Sequence, residues 1–161
     1  KENKVCELAN DNADGQIIIS GDKESVYSFQ KVLKEKKIKT IPLNVSAPFH
    51  CSLMRPAAKI MEKKILDVNF SKPSIKIISN VTAELVENPE KIKELLIDQI
   101  FSTVRWRESM IYISKNGIND FVEIGPGKVL CGMIKRTIKN SNNISINSIA
   151  DIKDLNDKLQ K

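Results

Sequence analysis

A chain of 161 residues, 41% hydrophobic and 29% charged, has the length of one domain, or of one domain plus part of another, and a globular composition that excludes a disordered protein. No apolar run approaches the ~20 residues of a membrane span and no signal peptide is visible, so no membrane role is expected. The formal charge of +6 predicts attraction to polyanions; only 5% aromatic content and no Arg-rich stripe argue against nucleic acid and leave a phosphorylated small molecule or an acidic protein partner.

Three widely spaced cysteines, Cys6, Cys51 and Cys131, are odd in number and read as reduced thiols of a cytoplasmic protein. With a single histidine and no Cys-x-x-Cys pair, no metal site is expected. The chain opens Lys1-Glu2-Asn3-Lys4 without an initiator methionine, which is expected of a start inside a longer protein.

In chain order, Val5 to Ala9 reads as a short strand and Asn10 to Gly15 as a turn cluster. Gln16 to Ser20 is an apolar, β-branched strand. Gly21-Asp22 starts a helix to about Lys36 whose inner face is Val26, Phe29, Val32 and Leu33. Lys39 to Val45 is the next strand, so the opening reads β-β-α-β, a ferredoxin-like unit without its first strand and helix. A helix over Ser52 to Leu66 presents Ala57, Ile60, Met61 and Ile65, with Pro56 in its first turn or at a kink. Ser74 to Ser79 is a strand. Asn88-Pro89 opens a helix that buries Ile92, Leu95, Leu96 and Ile100 and ends near Phe101. Ser102 or Thr103 caps another, through Trp106, Met110 and Ile113 to Gly117. The strand Phe121 to Ile124 then turns through Gly125-Pro126-Gly127-Lys128 into a helix with Val129, Leu130, Met133, Ile134 and Ile138 inward. A strand, Ile144 to Ile149, and a helix, Asp151 to Leu159, close the chain. This alternation predicts an α/β fold with a parallel sheet.

His50, the only imidazole, follows a strand-like run and a proline and precedes a helix; any proton transfer near neutral pH by an unperturbed side chain must pass through it. On position alone, a packing or hydrogen-bonding role outweighs a chemical one. Cys51 is its neighbour in sequence, but adjacent side chains diverge, so a Cys–His couple is not expected. Gly125-Pro126-Gly127-Lys128 superficially resembles a phosphate cradle, but it matches neither G-x-x-x-x-G-K-[ST] nor G-x-G-x-x-G, and its proline removes an N–H. A structural turn is favoured. Lys135-Arg136 suits a docking patch or a solvated face equally. No G-x-S-x-G marks an elbow nucleophile.

Several blocks, in register over nearly the whole chain, carry a resemblance. Ala9 to Asn12, Gln16 to Gly21, Ser46 to Met54, Pro56-Ala57, Val104-Arg105-Trp106 and Glu123 to Leu130 closely resemble the C-terminal half of the malonyl-CoA:acyl carrier protein transacylases of bacterial fatty-acid synthesis. The resemblance implies an α/β-hydrolase-like acyltransferase large subdomain, of which 47–161 is the C-terminal part, and a ferredoxin-like small subdomain, whose end is 1–46. It implies transfer of malonyl from CoA to the pantetheine thiol of an acyl carrier protein through a serine ester, with malonyl-CoA and the carrier as partners and no cofactor. The family's nucleophilic serine, oxyanion-hole glutamine and carboxylate-binding arginine lie in the absent half, so this segment is expected to be inactive alone. His50 aligns with the catalytic histidine, and Gln99 with the glutamine whose main-chain carbonyl orients it. The end of a helix suits that role, because its carbonyls lack intrahelical donors and carry partial negative charge that favours an imidazolium. Phe49 aligns with a residue that accompanies malonyl preference. Asn10 and Asn12 match an asparagine pair near the cleft, a turn-forming role being at least as well supported. Lys135 and Arg136 are the first choice for carrier docking. The alternatives are a non-catalytic acyl-carrier-binding module and the acyltransferase domain of a polyketide-type synthase.

Overall fold

A computed structural model describes residues 4–159. Two strands, β1 (Cys6–Ala13) and β2 (Gln16–Gly21), form an antiparallel hairpin, followed by helix α1 (Lys23–Glu35). A 3₁₀ turn (Ser52–Met54) leads into α2 (Arg55–Leu66). A short antiparallel pair, β3 (Ile77–Ile78) and β4 (Leu85–Val86), precedes α3 (Pro89–Asp98) and α4 (Trp106–Lys115). The chain ends in β5 (Asp120–Ile124), α5 (Val129–Thr137), β6 (Asn142–Ile146) and α6 (Ile149–Leu159), with β5 and β6 paired in parallel.

The expected turn over Asn10 to Gly15 is corrected: β1 runs through Asn10, Asp11 and Asn12, and only Asp14-Gly15 turns. The asparagines stay extended because β1 is held on both sides. Asn10 faces Ile18 of β2, and Val104 bridges it in parallel, donating to the Ala9 carbonyl at 2.8 Å and accepting from the Asp11 amide at 2.9 Å. Gly15 supplies the left-handed residue of the turn, with φ of 72°. At the other end of the hairpin, a Cβ on Gly21 would stand 2.1 Å from the Val5 carbonyl oxygen, so only glycine fits.

Lys39 to Val45 is not a strand, which leaves the opening as β-β-α. Pro42 removes a ladder donor in the middle of the run, no described strand lies beside it, and Ile41 and Leu43 are exposed. The strand expected over Ser74 to Ser79 shrinks to two residues, matching the length of its partner β4. Ser102 and Thr103 do not cap α4: Thr103 Oγ1 instead donates to the Leu8 carbonyl at 2.6 Å, and the helix begins after Arg105. The parallel sheet is a single β5–β6 pair among the described residues.

The core is small-sided: Ala9, Ala13, Cys51, Ala58, Leu95, Met110, Met133, Ile134 and Ile146 are buried. Helix faces differ accordingly. Phe29 and Val32 of α1, Leu96 of α3, and Val129 and Leu130 of α5 are exposed rather than inward, and the shared face of α2 leaves Ile60 and Met61 exposed. Asn88 caps α3 as read, its side chain accepting from the Lys91 amide at 3.0 Å with Pro89 opening the helix.

Candidate functional site

The corner between Pro48 and α2 is tightly scripted. His50 has φ of 58°, the left-handed region, which costs a side chain bearing Cβ about 1–3 kcal/mol and persists only where neighbours over-determine it. The neighbours are identifiable. Cys51, with none of its surface exposed, donates its thiol to the Pro48 carbonyl at 3.1 Å. On the far side, the Glu7 carboxylate on β1 accepts from the Ser52 amide at 2.7 Å and from the Ser52 hydroxyl at 2.6 Å. The Cys51 thiol is thus spent on structure, away from the imidazole.

Gln99, the C-cap of α3, lies 49 residues further along the chain, and its main-chain oxygen stands 2.9 Å from His50 Nδ1. A carbonyl can only accept, so a neutral ring carries its proton on Nδ1 and leaves the Nε2 lone pair free. That is the form a general base needs. The carbonyl is available because it lies past the last full turn: the Ile100 and Phe101 amides reach back only three residues, to Ile97 and Asp98, both at 3.2 Å. An imidazolium formed at this place would face a main-chain oxygen at the negative end of α3. Phe49, next to the histidine, is 46% exposed.

The other sequence-derived candidates lie apart from this contact. Asn12 is buried on β1, and Asn10 is half-buried at the β1–Val104 bridge. Lys135 and Arg136 share the last turn of α5 and are exposed; the Arg136 guanidinium donates to the side-chain oxygen of Gln16 and to the Gly132 carbonyl. The Gly125–Lys128 turn is structural. Its helix N-terminus is occupied by the Glu123 carboxylate, which accepts from the Leu130 and Cys131 amides at 3.1 and 2.8 Å and is held below the usual carboxylate range chiefly by the Cys131 amide. An incoming phosphate would meet that negative charge.

Sequence reasoning missed Glu7, Arg55, Phe101 and Arg107. Glu7 meets Ser52 across 45 residues. Arg55 stacks on Phe101, its guanidinium carbon 4.2 Å from the ring centroid. Arg107 on α4 grips the buried Asp11 of β1 through contacts at 2.6, 2.9 and 3.1 Å. None sits in a local motif. An acidic residue within an expected strand was the only available signal, at Glu7, and it names no partner.

The acyl transferase domain family matches residues 3–161. The malonyl CoA-acyl carrier protein transacylase of Bacillus subtilis is 40% identical over 148 residues, which cover 91% of this chain and 46% of that protein. Among solved structures, an acyl-carrier-protein-S-malonyltransferase from Bartonella henselae superposes with a TM-score of 0.92 at 40% identity, over 98% of this chain and 50% of its own. A malonyl-transacylase solved in complex with a type II PKS acyl carrier protein matches with a TM-score of 0.89 at 32% identity, over 94% of this chain and 50% of its own. The chain therefore spans about half the length of the relatives it matches. It shares their mixed α/β fold over that half.

Proposed function

The chain belongs to the malonyl-CoA:acyl carrier protein transacylase family of acyltransferases, and from that premise we propose that it supplies the histidine half of an enzyme moving malonyl from CoA to the pantetheine thiol of an acyl carrier protein in cytoplasmic fatty-acid synthesis. The observation that carries this reading is the 2.9 Å contact between His50 Nδ1 and the Gln99 carbonyl. A serine from the companion half attacks the malonyl thioester, and His50 Nε2 takes its proton. The proton then passes to the departing CoA thiolate, which leaves a malonyl-serine ester. In the second half-reaction His50 takes the pantetheine thiol's proton and returns it to the serine. Gln99 holds the tautomer throughout, in the place an aspartate fills in a triad.

In this reading residues 1–46 end a small subdomain, and 47–161 complete a large one. The companion half packs on surfaces left open here: Ile124 of β5 is 80% exposed, unusual for an apolar strand residue in a closed sheet, and Ile41 in the irregular stretch before His50 is 70% exposed. Phe49 limits room for an α-methyl group on the acyl chain, and Asn10 and Asn12 support the cleft side of β1. Lys135, with Arg136 beside it, meets the anionic carrier; the Gln16 contact leaves Arg136 the more structural of the two.

The test joins this chain to a serine-bearing half, such as that of the Bacillus subtilis relative, and follows radiolabel from malonyl-CoA into the enzyme and then the carrier. Wild-type chain supports both steps, and His50→Ala slows both by about 10²–10⁴-fold. Acylation at full rate in His50→Ala removes the proposed base. Carrier binding without any acylation favours a non-catalytic carrier-binding module. Comparing fatty-acid and polyketide carriers distinguishes the two kinds of parent enzyme.

A further inference from the structure

We infer that Arg55 and Phe101 act as a positioning clamp for the His50–Gln99 contact; its purpose rests on the transacylase reading, its existence on geometry alone. His50 and Gln99 belong to two segments distant in sequence, and each is followed closely by one member of the stack. Arg55 opens α2 directly after the 3₁₀ turn that follows His50, and Phe101 lies just past the end of α3 that offers the carbonyl. The same two segments therefore touch twice, through a ring nitrogen on a carbonyl at 2.9 Å and a guanidinium over an aromatic ring at 4.2 Å. Two contacts between one pair of segments block the slide and rotation that a single contact permits.

The hydrogen bond needs that second contact. His50 and Gln99 are only half-buried, so water competes for both ring nitrogens and for the carbonyl. The segment bearing the carbonyl is weakly held by its own helix, since its last amides reach back only three residues. On the histidine side, Glu7 already ties Ser52 to β1, and Cys51 closes on Pro48. Beyond Phe101, Thr103 and Val104 are tied to β1, and the stack fixes the stretch between that tie and the end of α3. Arginine suits the task better than lysine, because a planar guanidinium covers a ring face while an ammonium is a hydrated point charge.

The chain's single histidine makes the test direct, because every imidazole ¹⁵N signal has one source. Long-range ¹H–¹⁵N spectra of the labelled chain, taken where the ring is neutral, report which nitrogen holds the proton. Wild type is expected to show the Nδ1–H form. Arg55→Met and Phe101→Leu are expected to lower the Nδ1–H to Nε2–H ratio about fivefold, the worth of roughly one net hydrogen bond. Arg55→Lys falls between Arg55→Met and wild type. Arg55 is exposed, so Arg55→Met is not expected to threaten folding, and a stack that merely glued helices together would lower the melting temperature without moving this ratio. An unchanged ratio in Arg55→Met overturns the clamp. A wild-type ring already divided between both forms overturns it too, together with the carbonyl contact. If His50→Ala transfers malonyl at full rate while the ratio responds as expected, the clamp stands and the transacylase role of His50 falls.

Discussion

Replacing Arg107 with methionine tests how firmly β1 is fastened to α4. The Arg107 guanidinium meets both Asp11 oxygens at 2.6 to 3.1 Å, and the two side chains are 34% and 10% exposed. At about 3 Å and an effective dielectric of about 20, the gross attraction is roughly 5 kcal/mol. Desolvation of the carboxylate and water reaching the arginine cancel part of it. Methionine keeps the aliphatic stem but strands a buried carboxylate without its donor. Loss of one partner of a fully buried pair costs about 3–5 kcal/mol, so this partly wet pair is expected to cost about 2–3 kcal/mol. For a chain of this size that lowers the melting temperature by roughly 4–12 °C. The assay is thermal unfolding followed by circular dichroism at neutral pH, with the double variant Asp11→Leu/Arg107→Met alongside. The double variant recovers most of the loss, because a stranded charge costs more than an absent pair. A single variant melting within about 1 °C of wild type, or a double variant worse than the single, would refute the reasoning.

Gly21→Ala places a methyl 2.1 Å from the Val5 carbonyl and is expected to cost about 1–3 kcal/mol, read as faster amide exchange at Asp22, whose N–H donates to that carbonyl at 2.9 Å. Asn88→Ala removes the α3 cap and is expected to cost about 1 kcal/mol in a denaturant titration, with Asn88→Ser near wild type. Glu123 and Glu108 both titrate below the ordinary carboxylate range, Glu123 through the Cys131 amide and Glu108 through its hydrogen bond from Arg105. Their folded values are depressed, so their stabilisation is fully present above the unfolded value near ~4.3 and is lost as pH falls through the folded values. Melting temperatures from pH 6 to 2 should therefore fall less steeply in Glu123→Gln than in wild type, and identical slopes would count against the Glu123 cap. In the reassembled enzyme, His50→Ala is expected to slow malonyl transfer to the carrier by about 10²–10⁴-fold, measured by radiolabel transfer.

Local chemistry made several elements readable before any coordinates. Asn88-Pro89 announced α3, Pro56 fell in the first turn of α2, and the apolar β-branched run Gln16 to Ser20 was a strand. The family was legible from blocks of residues whose order alone is distinctive. Reading failed where pairing outweighs propensity. Asn10 to Asn12 have turn chemistry yet lie in β1, because β2 and Val104 take up their main-chain groups. Lys39 to Val45 has strand-like residues, but Pro42 and the want of a described neighbour leave it unpaired. Helix faces chosen by spacing alone placed Phe29 and Val32 inward, although periodicity gives the apolar stripe and not the surface it meets.

Residue identity singled out His50, since no other imidazole exists in the chain, and alignment with the family paired it with Gln99. Folding supplied what no string of letters holds: a left-handed backbone at His50, a carboxylate from β1 under Ser52, and a guanidinium on Phe101 beside the freed carbonyl. Hydrogen bonds and ring stacking act over a few ångströms, whereas these partners stand roughly 45 residues apart along the chain. Only the packing of α2 against α3, with the Glu7 tie from β1 to Ser52, brings them within that range.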